Sequence, residues 1–233
     1  AFVSVTYGAL GSTRDKTIEI VQRIQRDFGL EAMAHFTCVG ATVDELREVL
    51  DKMRDAGIQN VLALRGDPPP GQEEWVKTEG GLEHARELVE LLVDEYDFSI
   101  GAACFPETHP HATSPEDDLR HLKEKVDAGA QFLITQLFYD NQYYFDFVEQ
   151  ARAIGITVPI IPGIMPIADP RQIQRITSLC GATIPPGLQA ALESRADDPE
   201  AAQALGVAFA TLQFAEVLRG GAPGVHFYTL NRS

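Results

Sequence analysis

FLITQLFYDNQYYFDFVEQARAIGITVPIIPGI (residues 132–164) reads as one complete strand–helix–strand passage. FLITQ (132–136) and PIIPGI (159–164) are short, mostly apolar and not strictly alternating, which is how strands read when both faces are covered. The aromatic stretch LFYDNQYYFDFV (137–148) suits a helix face packed into a core, with ligand stacking as the alternative. Gly155 closes the helical run just before the second strand, the place of a left-handed C-terminal cap.

The same pattern recurs in both directions. FVSVTY (2–7), EAMAHF (31–36), QNVLAL (59–64), SIGAACF (99–105) and VHFYTL (225–230) complete a set of seven strand candidates. Most successive strand starts lie roughly thirty residues apart, the length of one βα repeat. The helices between them carry start and stop signals. Thr42 to Glu45 is a capping box; Ser114-Pro115, Asp169-Pro170 and Asp198-Pro199 each set a cap residue before a proline at the first helical position. Gly29, Gly57 and Gly129 take the same closing place as Gly155. The last interval is longer and holds helices near 170–179, 187–194 and 199–219. Parallel strands separated by helices leave an open doubly wound sheet or a barrel. An open sheet usually has a glycine-rich turn after its first strand, and YGALGS (7–12) is a poor version of one. The expectation is therefore a (β/α)₈ TIM barrel, a single domain over 1–233, with its first strand missing from the chain.

Composition narrows the partners. A net charge of −15 disfavours nucleic acid and anionic membrane surfaces. No apolar run approaches the ~20 residues of a membrane span and no leader-like start is visible, so cytoplasmic residence is expected. The three cysteines, Cys38, Cys104 and Cys180, are far apart and mostly in apolar surroundings, as reduced core thiols are.

Reactive groups of a barrel lie at the C-terminal strand ends and the loops that follow. Those positions hold Thr6-Tyr7-Gly8, His35, Arg65-Gly66-Asp67, Phe105 to His109, Gln136, Met165-Pro166 and Asn231-Arg232. In RGDPPPG (65–71) an arginine suits a phosphate and an aspartate suits a heterocycle with N–H donors. A salt-bridged pair holding a long loop explains the same residues. PETHPHATSPEDDLRHLKEK (106–125) offers His109, His111, Asp118, His121 and Lys125. A His-x-His pair invites a metal, but no third ligand converges, and no metal is expected. A loop entering a capped helix with lysines one turn on better suits a pyrophosphate and ribose. Gln136 is a neutral donor and acceptor suited to a pterin edge or a carboxamide, or a glutamine satisfied by backbone.

FVSVTYGA, AHFTC, ALRGDPPPG, the PExHP segment, DLRHLKEKVDAGAQFLITQLFYD, PIIPGIMP and GVHFYTLNR together resemble the methylenetetrahydrofolate reductases, in the family's order and over essentially the whole chain. The resemblance implies a barrel that binds FAD. It also implies reduction of 5,10-methylenetetrahydrofolate to 5-methyltetrahydrofolate by hydride from NADH or NADPH in a ping-pong relay that feeds methionine synthesis. Thr6, Tyr7, Ala9, His35, Arg65, Gly66, His84 and Ala85 match flavin-contacting positions. Phe105, His109, Ala112, Asp118, His121 and Lys125 match further cofactor positions, most of them around the ribose and pyrophosphate. Asp67 matches an aspartate near both flavin and folate, and Gln136 a glutamine shared in turn by nicotinamide and folate. Gln172 and Arg232 match substrate-holding positions. Family members are often homo-oligomers.

Three departures qualify the match. Phe105 stands where a tyrosine is often found, and Ile176 where an aromatic can stack on substrate. The family's general-acid glutamate, in a first-strand E-F-F-P-P-like segment, has no counterpart in this chain and is expected upstream. Two other readings remain: a barrel acting on a phosphorylated metabolite without a redox cofactor, and a catalytically incomplete homologue that binds flavin or folate.

Overall fold

The computed structural model describes residues 2–6, 14–66 and 77–230. The chain forms two compact units, one of Ala1–Ala103 with Glu124–Gln131 and the other of Cys104–Lys123 with Phe132–Ser233.

The first unit is built on β1 (Phe2–Val5), β2 (Glu31–Thr37), β3 (Asn60–Leu64) and β4 (Ser99–Cys104), with helices α1 (Arg14–Phe28), α2 (Val43–Asp55) and α3 (Ala85–Glu95) between them. Each strand pairs in parallel with the one before it, Val5 beside Ala34, His35 beside Leu62 and Ala63 beside Ala102. Local chemistry sets α2. The Thr42 hydroxyl accepts from the Glu45 amide at 3.3 Å, and the Glu45 carboxylate accepts from the Thr42 amide at 2.8 Å. Leu46, Val49, Leu50 and Met53 then fall on one face and are buried, each contributing about 2 kcal/mol before entropy is charged. Gly57 at φ 76° ends the helix, and the Ile58 amide reaches back to the Met53 carbonyl at 3.1 Å.

The second unit holds α4 (Pro115–Asp127) up to Lys123, then β5 (Phe132–Leu137), α5 (Asn141–Ala153), β6 (Ile160–Ile164), α6 (Pro170–Cys180), α7 (Pro186–Glu193), α8 (Pro199–Arg219) and β7 (His226–Phe227). β5, β6 and β7 are again parallel and in sequence order. A doubly wound sheet reverses its strand order at a switch point; neither unit does. The architecture is thus of the (β/α)-barrel class. Asp169 and Asp198 cap α6 and α8 through the amides of Arg171 and Ala201. β7 is shorter than its apolar sequence suggests, because its partner β6 ends at Ile164, whose carbonyl accepts from the Tyr228 amide at 2.8 Å.

One sequence expectation needs correcting. α8 is 21 residues long and contains an 18-residue window of mean hydropathy 1.4, by length and composition enough to cross a bilayer. Its residues Ala202, Gly206, Ala210, Gln213 and Val217 form a buried stripe, and Gln213 donates to the Phe138 carbonyl at 2.8 Å. That stripe packs into the second unit while the other faces of the helix stay exposed, 28% of the apolar window being buried.

Candidate functional site

In the first unit, parallel pairing brings the C-terminal tips of β1, β2 and β3 side by side, and with them Thr6, His35, Arg65 and Gly66. Pairing continues past β3: the Arg65 carbonyl accepts from the Val39 amide at 2.9 Å. Gly66 has φ 94°, and a Cβ there would overlap Cγ1 of Val39 and lie 3.1 Å from Cβ of Thr37. The turn after Arg65 is therefore pressed onto the β2 tip as only glycine allows. Nε of Arg65 donates to the Gly66 carbonyl at 3.4 Å. Nearby Cys38 is buried and its thiol is pushed up to about 11 by that burial. It is a core thiol, not a nucleophile, at neutral pH.

His84 is exposed at the N-cap of α3, with Ala85 opening the helix. The Glu87 carboxylate accepts from the amides of Glu83 and His84. Burial pushes that carboxyl up, but these bonds and the nearby Lys77 and His84 outweigh it and hold it below the usual range. Nζ of Lys125 donates to the Ala103 carbonyl at 2.7 Å; an ammonium has three donors, so the residue serves the strand as well as any ligand. Tyr7, Ala9, Asp67 and Arg232 lie outside the described residues.

In the second unit, the chain after β4 folds into a compact loop. The Phe105 carbonyl accepts from the Thr108 amide at 3.2 Å, and Thr108 sits in the left-handed region at φ 72°. Such a conformation in a threonine is strained and marks a constrained loop. Oδ2 of Asp118 accepts from the His109 amide at 2.9 Å, and Nδ1 of His109 accepts from the His111 amide at 3.0 Å. That acceptor role places the proton of a neutral His109 ring on Nε2. Phe105 packs edge-on against this ring at 4.5 Å, and the Ala112 amide donates to the His109 carbonyl at 2.9 Å. His121 is exposed, 3.7 Å from the Asp117 carboxylate.

The start of α4 does not match the expectation of a helix end waiting for pyrophosphate. Glu116, Asp117 and Asp118 fill its first turn. They already complement the helix dipole and would repel an anion.

Gln136 lies at a register shift in β5. Leu133 and Ile134 pair with Ile160 and Ile161, but Leu137 pairs with Gly163, so β5 carries one extra residue at Thr135–Gln136. This bulge re-aims the strand's side chains at its C-terminal end. It is braced on three sides: the Thr135 hydroxyl accepts from the Gly163 amide at 2.8 Å, the Thr135 carbonyl accepts from the Tyr228 hydroxyl at 2.8 Å, and Oε1 of Gln136 accepts from the Leu137 amide at 2.9 Å. Burial pushes the Tyr228 hydroxyl well above the usual phenol range, so it remains a donor. Tyr228 and the bulge have no sequence signature; sequence reasoning passed over both.

Gln172 lines a cleft of about 210 Å³ with Met165, Ile173, Ile176, Val207 and Tyr228. Its walls are the end of β6, one face of α6, α8 and the segment after β7. The lining is mostly apolar with a few polar groups, as ligand clefts are. Ile176 stands in this wall, so the expected loss of aromatic stacking falls on a cleft residue. Among the described residues no group of three or more His, Cys, Asp or Glu side chains could hold a metal ion.

A sequence model of the family described as methylenetetrahydrofolate reductase matches residues 1–233. The chain is 44% identical over 241 residues to methylenetetrahydrofolate reductase (NADH) 1 of Arabidopsis thaliana, covering 99% of this chain and 41% of that one. It spans about two-fifths of the plant relatives it matches. It is 41% identical to 5,10-methylenetetrahydrofolate reductase of Escherichia coli (strain K12), covering 100% of this chain and 76% of that one. A solved structure of an uncharacterized protein from Clostridium thermocellum, described as binding two copies of 5-methyl-5,6,7,8-tetrahydrofolic acid, superposes with a TM-score of 0.56 at 19% identity. That superposition covers 97% of this chain and 87% of the other, and shows a shared fold.

Proposed function

This chain belongs to the methylenetetrahydrofolate reductase family, and from that we infer that it reduces 5,10-methylenetetrahydrofolate to 5-methyltetrahydrofolate with NADH or NADPH through bound FAD. The match to the family over all 233 residues is the observation that carries the reading. The side chains present in each unit suit parts of a flavin dinucleotide: in the first unit Arg65 and Lys125 supply positive charge of the kind phosphates need, and in the second His109 and Asp118 lie in an internally bonded loop whose polar groups suit a ribose. FAD would carry hydride from the nicotinamide to the folate, the two substrates taking turns at one face. Thr6, Tyr7, Ala9, His35, Gly66, His84, Ala85, Phe105, Ala112 and His121 are the remaining proposed contacts.

Gln136 is proposed to orient both substrates in turn. With Oε1 occupied by the Leu137 amide, its Nε2 is a fixed donor, suited to a carboxamide or pterin oxygen. Gln136→Ala should weaken both substrates, raising each KM by about tenfold. Steady-state kinetics with each substrate varied will check this; a change confined to one divides the roles. Asp67 is proposed to set negative charge beside the pterin, favouring a cationic folate. Asp67→Asn should slow folate reduction at least about tenfold more than nicotinamide oxidation, measured as separate half-reactions; equal slowing removes the role. Gln172 and Arg232 hold the nucleotide and folate beyond the reacting atoms.

The deciding experiment is the visible spectrum of the purified intact protein before and after anaerobic NADH. Flavin bands that bleach with NADH and return with methylenetetrahydrofolate support the reading. A colourless protein that FAD cannot reconstitute removes it.

A further inference from the structure

We propose that Glu107 is a positioning residue for substrate binding, its carboxylate anchoring the chain just past α6 so that the α6 wall of the cleft keeps its place. The inference rests on the reading that the face of α6 bearing Gln172 and Ile176 meets bound substrate. Both oxygens of the Glu107 carboxylate accept from one backbone amide, that of Thr183, at 3.1 and 2.9 Å, across 76 residues of sequence. Thr183 follows directly on the end of α6. Gly181 caps that helix in the left-handed region at φ 75°, and the amides of Gly181 and Ala182 both turn back to the Thr177 carbonyl. The Thr183 amide is thus the first to point away from the helix, and Glu107 receives it.

A second contact joins the same two segments. A Cβ built on Gly181 would lie 3.1 Å from Cγ of Pro110, so the helix exit is seated on the PETHP loop. On the other side of α6, Ile173 belongs to the apolar cluster with Leu137, Tyr139, Met165 and Ile167, and Ile176 and Cys180 pack against it. α6 is therefore held along its length by apolar packing, at its start by the Asp169 cap, and at its exit by Glu107. Packing is tolerant of sliding; a bond to an ionised carboxylate is directional and stronger than one between neutral groups. The half-buried position of Glu107 fits this use. Burial raises its carboxyl above the usual range, the Thr183 bonds act in the opposite direction, and Asp140 adds to the rise. The Thr183 side chain and amide together are what compensate a carboxylate kept in such a position.

The test uses the intact protein, with Glu107→Ala and Glu107→Gln beside wild type. Amide exchange across 177–184 reads the anchor itself, and steady-state kinetics with NADH and methylenetetrahydrofolate read its consequence. In Glu107→Ala the Thr183 amide should lose protection. The KM of at least one substrate should rise about tenfold with kcat within about twofold, the size expected for losing a charge-assisted bond. Glu107→Gln, which keeps one acceptor, should fall between. A general folding defect would instead lower the yield of active protein and leave KM alone. Unchanged exchange at Thr183, or loosened exchange with both KM values unchanged, overturns the proposal. Wild-type protein inert towards both substrates overturns the reductase reading, and with it the substrate role of Glu107, even where exchange shows the anchor to exist.

Discussion

Gly163→Ala is expected to cost about 3 kcal/mol of stability, at the upper end for overpacking a rigid site. Gly163 lies on β6 between Leu137 of β5 and His226 of β7. Its missing side chain leaves the space taken by the Thr135 carbonyl and the Tyr228 ring; a Cβ there would overlap that carbonyl oxygen and reach 2.5 Å from Cε2 of Tyr228. One neighbour is backbone and the other is a phenol tied to that same carbonyl, so neither can retreat cheaply. Relief requires opening the bulge that carries Gln136. The variant should therefore lose urea resistance and also raise KM for both substrates. Tyr228→Phe is the control: it removes the hydroxyl bond without adding volume and should cost about 1 kcal/mol. A midpoint shift for Gly163→Ala no larger than that of the phenylalanine variant means the sheet can breathe here, and the bulge is not under the constraint described.

Phe138→Ala should cost about 4 kcal/mol, because a fully buried ring leaves a cavity that its surroundings can only partly fill. Phe138 has no exposed surface and stacks on Tyr144 with ring centres 5.7 Å apart and planes 9° from parallel. Its partner is held in turn, the Tyr144 hydroxyl donating to the Ile160 carbonyl at 2.9 Å. The Phe138 carbonyl takes the side chain of buried Gln213. The ring is thus fenced by groups that cannot collapse inward without breaking hydrogen bonds. Urea unfolding should show a lower midpoint at unchanged slope. Leu212→Ala, at a residue 71% exposed, should stay within about 0.5 kcal/mol. Equal effects from the two changes contradict the burial on which the core of this unit depends.

What could be read from the chain directly was whatever a few neighbouring residues decide. The box of Thr42 and Glu45 closes over three residues, the aspartates before Pro170 and Pro199 cap the helices they precede, and glycines 29, 57, 129 and 155 all take positive φ. Apolar runs located the strands to within a few residues, except at β7, whose length depends on how far β6 runs. Strand-end position also placed Arg65, Gly66 and Gln136 at tips, since a parallel βα repeat leaves only one end of each strand for chemistry. Tertiary structure decided the rest, because those features depend on atoms brought together from far apart. The extra residue in β5 exists only against the register of β6. The demand for glycine at position 163 comes from a carbonyl 28 residues earlier that a tyrosine just past the last strand has already bound. The acids that close the start of α4 to an anion were visible as letters, but their placement in the first turn is what gives them that effect. Glu107 read as one more polar residue in a loop; the Thr183 amide, 76 positions away, is what makes it an anchor. Short-range hydrogen bonds and steric limits are written into adjacent residues, whereas the partner of a long-range bond is chosen only when the chain has packed.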